Sequence, residues 1–499
     1  MTFNSLSFLI FYPIVLLLYF VLPKRTRPYL LLLASYYFYI CTQLELIFLI
    51  LGTTLVSYFS SLIIEKTSRT GVRKLLLSLT LVVCLGVLLF YKYFDFLSAS
   101  VTSLFNLFGG DSEPVLLDLL LPVGISFYTF QTLSYVIDVY RGNIPAERSF
   151  IYYALFVSFF PQLVAGPIER PENLLPQLKA VSGDAPPSEG GEAVVAYRWD
   201  KDNAILGAKY MMVGFFKKIV VADLVAVYVN SVYNDVGQVG AFGIIIATLL
   251  FAVQIYCDFS GYTDIAIGCA RIMGIRLMKN FDHPYSSVSI KEFWSRWHIS
   301  LSSWFRDYLY IPLGGNRCKR WRYLMNLMIV FLVSGLWHGA AWTFVIWGAL
   351  HGIYQIIGSL TAKPRGKLFS RLGINEKSTP VVYLRRFVTF ILVCFAWIFF
   401  RANSISDAFS LVKGLGDFSL GFSDTLSLMG LNTVGILMTV FSILTLLLIE
   451  RMLIYGDSSD SSAALTRNGA FVYFVWIVIF AWALLLSKDM VSSFIYFRF

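Results

Sequence analysis

The sequence predicts an all-α polytopic membrane protein of about 11–13 helices, some of them re-entrant or interfacial. Three observations predict it. Hydrophobic residues make up 57% of the 499 positions and charged residues only 14%, whereas a soluble domain carries about 25% charged residues to cover its surface. Apolar runs long enough to cross, or nearly cross, about 30 Å of hydrocarbon recur along the chain. Lys and Arg collect in alternate connecting segments. The same composition excludes a disordered chain, a disulfide scaffold and a conventional nucleic-acid binder, despite the net charge of +10.

In chain order, the first run, 5–22, follows MTFNSLS with no positive n-region, and no A-x-A site precedes the basic KRTR. It therefore reads as a retained span and not as a cleaved signal. Runs 28–40, 44–64, 75–97 and 115–136 follow, with Lys92 inside the fourth of these five. Residues 147–179 contain an apolar piece too short to cross twice, interrupted at Pro161 and Gly166 and closed by Pro167, Pro171 and Pro176. That stretch is expected to be re-entrant or interfacial, its broken backbone buried in protein. Residues 180–203, small, polar and Pro/Gly-rich, read as a linker. Runs 219–229, 242–256, 323–336, 342–360, 387–400, 431–449 and 470–486 complete twelve spans. The expected organisation is an N-terminal bundle over 1–179, a cytoplasmic linker over 180–203, a catalytic membrane unit over 204–487 and an extracytoplasmic tail over 488–499.

Charge orients this map. With the N-terminus outside, segments 23–28, 65–74, 141–218, 271–322, 361–386 and 451–467 are cytoplasmic and hold 35 of the 40 Lys and Arg. Cytoplasmic loops carry that excess, so both termini are expected on the extracytoplasmic side of the membrane. The six cysteines lie in or beside apolar runs, or among basic residues, and read as reduced thiols. No zinc spacing occurs, so no metal is expected.

The chemistry should lie in the second half, where all four histidines fall between 283 and 351. Within 288–322, Trp297, Leu301 and Trp304 would share one stripe on a helix, suiting an amphipathic interfacial helix or the wall of a pocket for an anionic ligand. His338 stands among apolar residues, with no Asp, Glu, Lys, Arg or other His between Arg322 and His351. An imidazole at that depth is either hydrogen-bonded structure at a helix break or a functional group. As a neutral base it suits activation of a substrate hydroxyl, and no Ser-His-Asp spacing accompanies it. His351 and His283 read as structural or loop histidines.

PVGISFYTFQTLSYVIDVYRG (122–142), FFPQLVAGPIER (159–170), QIYCDFSGYTDIAIGCARIMGIRLMKNFDHPY (254–285), FWSRWHISLSSWFRDYLYIPLGGNR (293–317) and SGLWHGAAWTFVIWGALHG (334–352) together resemble the membrane-bound O-acyltransferases, in their bacterial alginate O-acetyltransferase-like branch. The resemblance implies a helical bundle around a transmembrane tunnel, a catalytic His338 in the GLWHG context and a second motif position at His298. It implies a thioester donor, acetyl-CoA, as substrate with no bound cofactor. It also implies a separate extracytoplasmic SGNH-type acetyltransferase as partner, which would place the group on a polysaccharide. The basic Arg317, Lys319 and Arg320 are expected to attract the donor's phosphates. Phe494-Ile495-Tyr496-Phe497 resembles the F-x-Y-F terminus of the peptide accompanying the teichoic-acid D-alanyl transferase, which makes Tyr496 a candidate acyl relay. An interfacial anchor accounts for the same residues. A D-alanyl or other acyl transferase drawing on a carrier-protein thioester, a histidine-dependent transporter and a bare scaffold for the partner are the competing readings.

Overall fold

The computed structural model describes residues 1–41, 44–163, 166–183 and 199–450, and every regular element among them is helical. The all-α expectation holds. The chain divides into two compact units, residues 1–211 with 262–278, and residues 212–261 with 279–499. Most of the expected linker lies outside the described residues, as do the last expected span and the tail with Tyr496.

In the first unit, α1 (Leu6–Val21), α2 (Arg27–Ile40), α3 (Ile47–Lys66) and α4 (Thr70–Leu107) follow the first four apolar runs. The polar residues of α3 do not break it. Thr53, Thr54, Ser57 and Ser61 are buried and each donates its hydroxyl to a carbonyl three or four residues back, at 2.6–3.1 Å. Satisfied inside the helix, these hydroxyls let α3 pack its polar face inward. The run 115–136 departs from expectation. Residues 111–122 form no helix, and α5 (Ile125–Arg141) begins only after Pro122 and after Gly124 at φ 74°. Proline disfavours helix in the residue before it, and glycine alone adopts that positive φ without strain. Asp95 ties the non-helical stretch down, accepting the backbone N–H of Leu117 at 2.8 Å and of Asp118 at 3.2 Å.

The stretch from 147 to 179 is three short helices, α6 (Phe150–Ser158), α7 (Phe160–Leu163) and α8 (Pro171–Ala180). Pro161 has no N–H to continue α6, which leaves carbonyls near its end to be satisfied otherwise. The Phe156 carbonyl accepts the side-chain amides of Gln131 (2.6 Å) and Gln162 (2.8 Å), both buried. Beyond the break, Glu169 is fully buried and accepts from the Met278 backbone N–H and from Asn173 Nδ2. Burial raises its carboxyl to about 7.

After α9 (Lys201–Phe215) comes a π-helical turn, Phe216–Ala222, then α10 (Asp223–Tyr233) and α11 (Ala241–Ile272). Lys217 and Lys218, among the charges assigned above to a cytoplasmic segment, are fully buried in the second unit. Lys218 Nζ lies 2.8 Å from Asp223 and 2.9 Å from Asp258, and Lys217 Nζ lies 2.8 Å from Glu450. A buried charge persists only with such partners, so these two lysines follow packing and not the membrane's sidedness.

The rest of the second unit carries α12 (Ile290–Arg296), α13 (Ile299–Phe305), a π-helical turn (Arg306–Tyr310), α14 (Arg320–His338), α15 (Trp342–Arg371), α16 (Thr379–Arg401), α17 (Ile405–Gly414), α18 (Phe422–Leu428) and α19 (Thr433–Ile449). The helical stripe expected within 288–322 is interrupted. Trp297 falls between α12 and α13, and Trp297, Leu301 and Trp304 are all buried in protein, Leu301 on the wall of a cavity. Five described helices are long and apolar enough to cross a membrane, at Leu44–Lys66, Thr70–Leu107, Ala241–Ile272, Trp342–Arg371 and Thr379–Arg401. A sixth span would join α18 and α19, bent by 85°. Other apolar runs end early at proline, glycine or histidine and fall short of the roughly 20 residues of a straight span.

Candidate active site

Two helix ends place the site. Helices α14 and α15 form a hairpin whose backbones touch at Gly335 and Gly348. A Cβ on Gly335 would meet the Phe344 carbonyl oxygen at 2.3 Å, and one on Gly348 would meet that of Phe331 at 2.3 Å. Such approach is possible only without a side chain. The helix then stops, because Gly339 turns extended at φ −162° and sits where a Cβ would strike the Phe344 ring at 2.1 Å. His338, the last residue of α14, is left 2% exposed against Trp337 (ring centroids 5.0 Å), Trp347 (4.9 Å) and Phe400 (5.5 Å).

The second histidine occupies the other break. His298 caps α13 from the left-handed region at φ 45°, a conformation that costs a non-glycine residue of order 1 kcal/mol or more. It is fully buried, edge-on to Phe259 at 4.7 Å and to Trp337 at 5.8 Å. Its ring centroid lies 6.5 Å from that of His338. Burial lowers the His298 imidazole to about 3, so the ring is neutral throughout the physiological range.

Asn280, which the sequence reading passed over, underlies this arrangement. Its Oδ1 lies 3.1 Å from His298 Nδ1 and accepts from Ser300 Oγ (2.9 Å) and the Ser300 backbone N–H (3.2 Å). Its backbone carbonyl accepts the Ile299 N–H at 2.9 Å. An asparagine eighteen residues before the histidine carries no local signature, so only the fold reveals it.

A cavity of about 340 Å³ lies in the same unit, lined among others by Lys291, Trp294, Leu301, Arg306, Phe331 and Ser334, and neither His298 nor His338 lines it. Its lining is mostly apolar with four serines and Gln355 among it, and its two cations are exposed, Arg306 paired with Asp307 at 2.7 Å. Ser334 precedes His338 by one helical turn. Trp294 is held by its indole N–H, which donates to His351 Nδ1 at 3.1 Å. His351 is buried and carries its proton on Nε2, as that acceptor role demands. His283, half-exposed beside Asp282, stays in a loop. The structure therefore brings His338 and His298 together and sets His351 behind the cavity wall. Arg317, Lys319 and Arg320 are exposed and do not line the cavity. All six cysteines are free, and no cluster of three or more metal-ligating side chains occurs among the described residues.

Two buried imidazoles with ring centroids 6.5 Å apart, His298 uncharged, can move a proton from a hydroxyl while excluding water. Residues 145–371 match the profile of MBOAT, the membrane-bound O-acyltransferase family. The chain is 38% identical over 453 residues to "Probable alginate O-acetylase AlgI" of Pseudomonas aeruginosa, covering 89% of this chain and 81% of that protein. It is 36% identical to the protein of that name from Pseudomonas putida, over the whole of both chains. It is 35% identical to "Peptidoglycan O-acetyltransferase" of Helicobacter pylori, covering 83% of this chain and 79% of that one.

Proposed function

This chain belongs to the membrane-bound O-acyltransferase family and is a multi-pass membrane acyltransferase, and we propose that it passes an acetyl group from cytoplasmic acetyl-CoA across the bacterial plasma membrane for O-acetylation of an extracytoplasmic polysaccharide. The observation that carries this reading is the pairing of His298 and His338, buried and 6.5 Å apart in the unit that also holds the 340 Å³ cavity. The relatives named for acetyl transfer to alginate and to peptidoglycan support the acetyl group and the polymer.

In the proposed reaction the donor's acyl arm lies in the apolar cavity and its phosphates meet Lys291 and Arg306 at the mouth. The exposed Arg317, Lys319 and Arg320 add long-range attraction. His338 takes the proton of an acceptor hydroxyl, whose oxygen forms the new bond to the acyl carbon. The C–S bond breaks, and the proton passes from the imidazolium to the departing thiolate. The acetyl group then goes to a separate extracytoplasmic SGNH-type acetyltransferase. Tyr496 lies outside the described residues, and its part as an acyl relay toward that partner is proposed from the sequence.

Labelled acetyl-CoA offered to the reconstituted protein together with its acceptor tests this. Wild type should transfer label, and His338→Ala should abolish transfer while folding normally, since it leaves at most one unpaired partner, about 1–3 kcal/mol. Wild-type turnover in that variant would remove His338 from the role of base.

A further inference from the structure

We infer that Asn280 is a positioning residue: braced by Ser300, it presets the tautomer of His298 so that His298 meets the substrate through an Nε2 lone pair, as a proton acceptor and not as a donor. This rests on the two-histidine reading of the site above and adds the residue that assigns one ring its direction.

The argument is one of donors and acceptors. The Ser300 backbone N–H can only donate, and it points at the Asn280 side chain from 3.2 Å. The atom facing it must therefore be the amide oxygen, because an amide NH2 there would set donor against donor. Ser300 Oγ, 2.9 Å from the same oxygen, adds a second donor. That oxygen also lies 3.1 Å from His298 Nδ1. A lone pair on Nδ1 would face an oxygen lone pair, so Nδ1 carries the proton, and a neutral ring then holds its other lone pair on Nε2. Asn280, His298 and Ser300 are all at most 1% exposed, so no bulk water competes for these hydrogen bonds. The backbone bond from Ile299 N–H to the Asn280 carbonyl, and that from Asp282 N–H to the Arg296 carbonyl at 2.9 Å, zip the two strands of chain together on either side of the contact.

The geometry excludes the other assignment for His298, in which an Nε2–H would polarise a thioester carbonyl. An Nε2 lone pair instead accepts a hydrogen bond from another donor group of a reactant, while His338 takes the proton of the hydroxyl that attacks. His338 on α14 is a titratable group in ring contact with His298, and Phe259 on α11 and Trp337 on α14, which also touch the ring, carry no charge. The strained backbone at φ 45° is consistent with a ring held to one orientation by packing and this hydrogen bond.

The first test is spectroscopic and independent of turnover. In the intact protein labelled with ¹⁵N-histidine, with His298 assigned by its loss in His298→Gln, the expected signals are a pyrrole-type Nδ1 and a pyridine-type Nε2. The reverse pattern would overturn the inference whatever the enzyme's activity. The second test is kinetic. Asn280→Asp places a carboxylate against Nδ1–H and favours the imidazolium. The acidic limb of the kcat/KM profile for acetyl transfer should therefore move to higher pH, with transfer retained at alkaline pH. Asn280→Leu, which offers no acceptor, should lose about a hundredfold or more in kcat with little change in KM. An unshifted acidic limb in Asn280→Asp, or wild-type kcat in Asn280→Leu, would refute the positioning role. Absence of transfer in wild type together with the expected nitrogen signals would instead count against the acetyl-transfer reading and leave the tautomer standing.

Discussion

Gly348→Ala should separate the two helices that carry the site. A methyl group at residue 348 would lie 2.3 Å from the Phe331 carbonyl oxygen, 3.1 Å from its carbon and 3.2 Å from the Gly335 Cα. A carbon comes no closer to a carbonyl oxygen than about 3.3 Å, so the α14 and α15 backbones must part by about 1 Å at this point. No flexible side chain can give way in their place, since all three atoms are backbone. Overpacking of this kind costs about 1–3 kcal/mol. The functional cost is larger, because Trp347 neighbours the substituted residue and its ring lies 4.9 Å from that of His338. A displacement of 1 Å in such a constellation costs about a hundredfold in rate. Gly358, on the same helix, has nothing within 4 Å of its ideal Cβ. Gly358→Ala should therefore be neutral or slightly stabilising, alanine being favoured over glycine in a helix by about 1 kcal/mol. The assay compares kcat/KM for acetyl transfer and the unfolding midpoint in detergent for both variants. Wild-type transfer in Gly348→Ala, or equal losses in the two variants, would refute the argument that close backbone contact holds His338 in place.

Lys218→Met should destabilise by about 3–5 kcal/mol, because it leaves Asp223 and Asp258 buried together without their cation; an unchanged unfolding midpoint would show the cluster to be hydrated. Glu169 should make the protein less stable as pH rises. Its carboxyl is raised from 4.5 to about 7, so its favourable contribution is complete below about pH 4.5 and is lost as pH climbs through 7. Glu169→Gln keeps an acceptor for the Met278 N–H, and wild type should lose stability relative to it between about pH 5 and 8; a constant difference between them would contradict the burial argument. A reporter inserted within 180–203 should be cytoplasmic and one within 405–428 extracytoplasmic, and finding both on one side would overturn the orientation and with it the direction of transfer.

The sequence by itself determined the helical membrane class and the family, because apolar run length and the GLWHG context are properties of neighbouring residues. His338 was legible for the same reason: an imidazole alone among apolar residues, flanked by Gly335 and Gly339, announces a helix break at membrane depth. Hydropathy could not show where runs stop being helix. Pro122 and Gly124 shortened one expected span, and the left-handed turn at His298 interrupted the expected helical stripe, leaving Trp297, Leu301 and Trp304 buried in protein. Nor could charge counting tell Lys217 and Lys218, paired in the interior, from lysines that face the cytoplasm. Only the tertiary structure brought together His298 and His338, forty residues apart in sequence. It alone gave Asn280 a role and moved the cavity's cations to Lys291 and Arg306. Burial and hydrogen-bond direction, which fix tautomers and charge states, depend on what the rest of the chain places nearby, and no window of sequence contains that information.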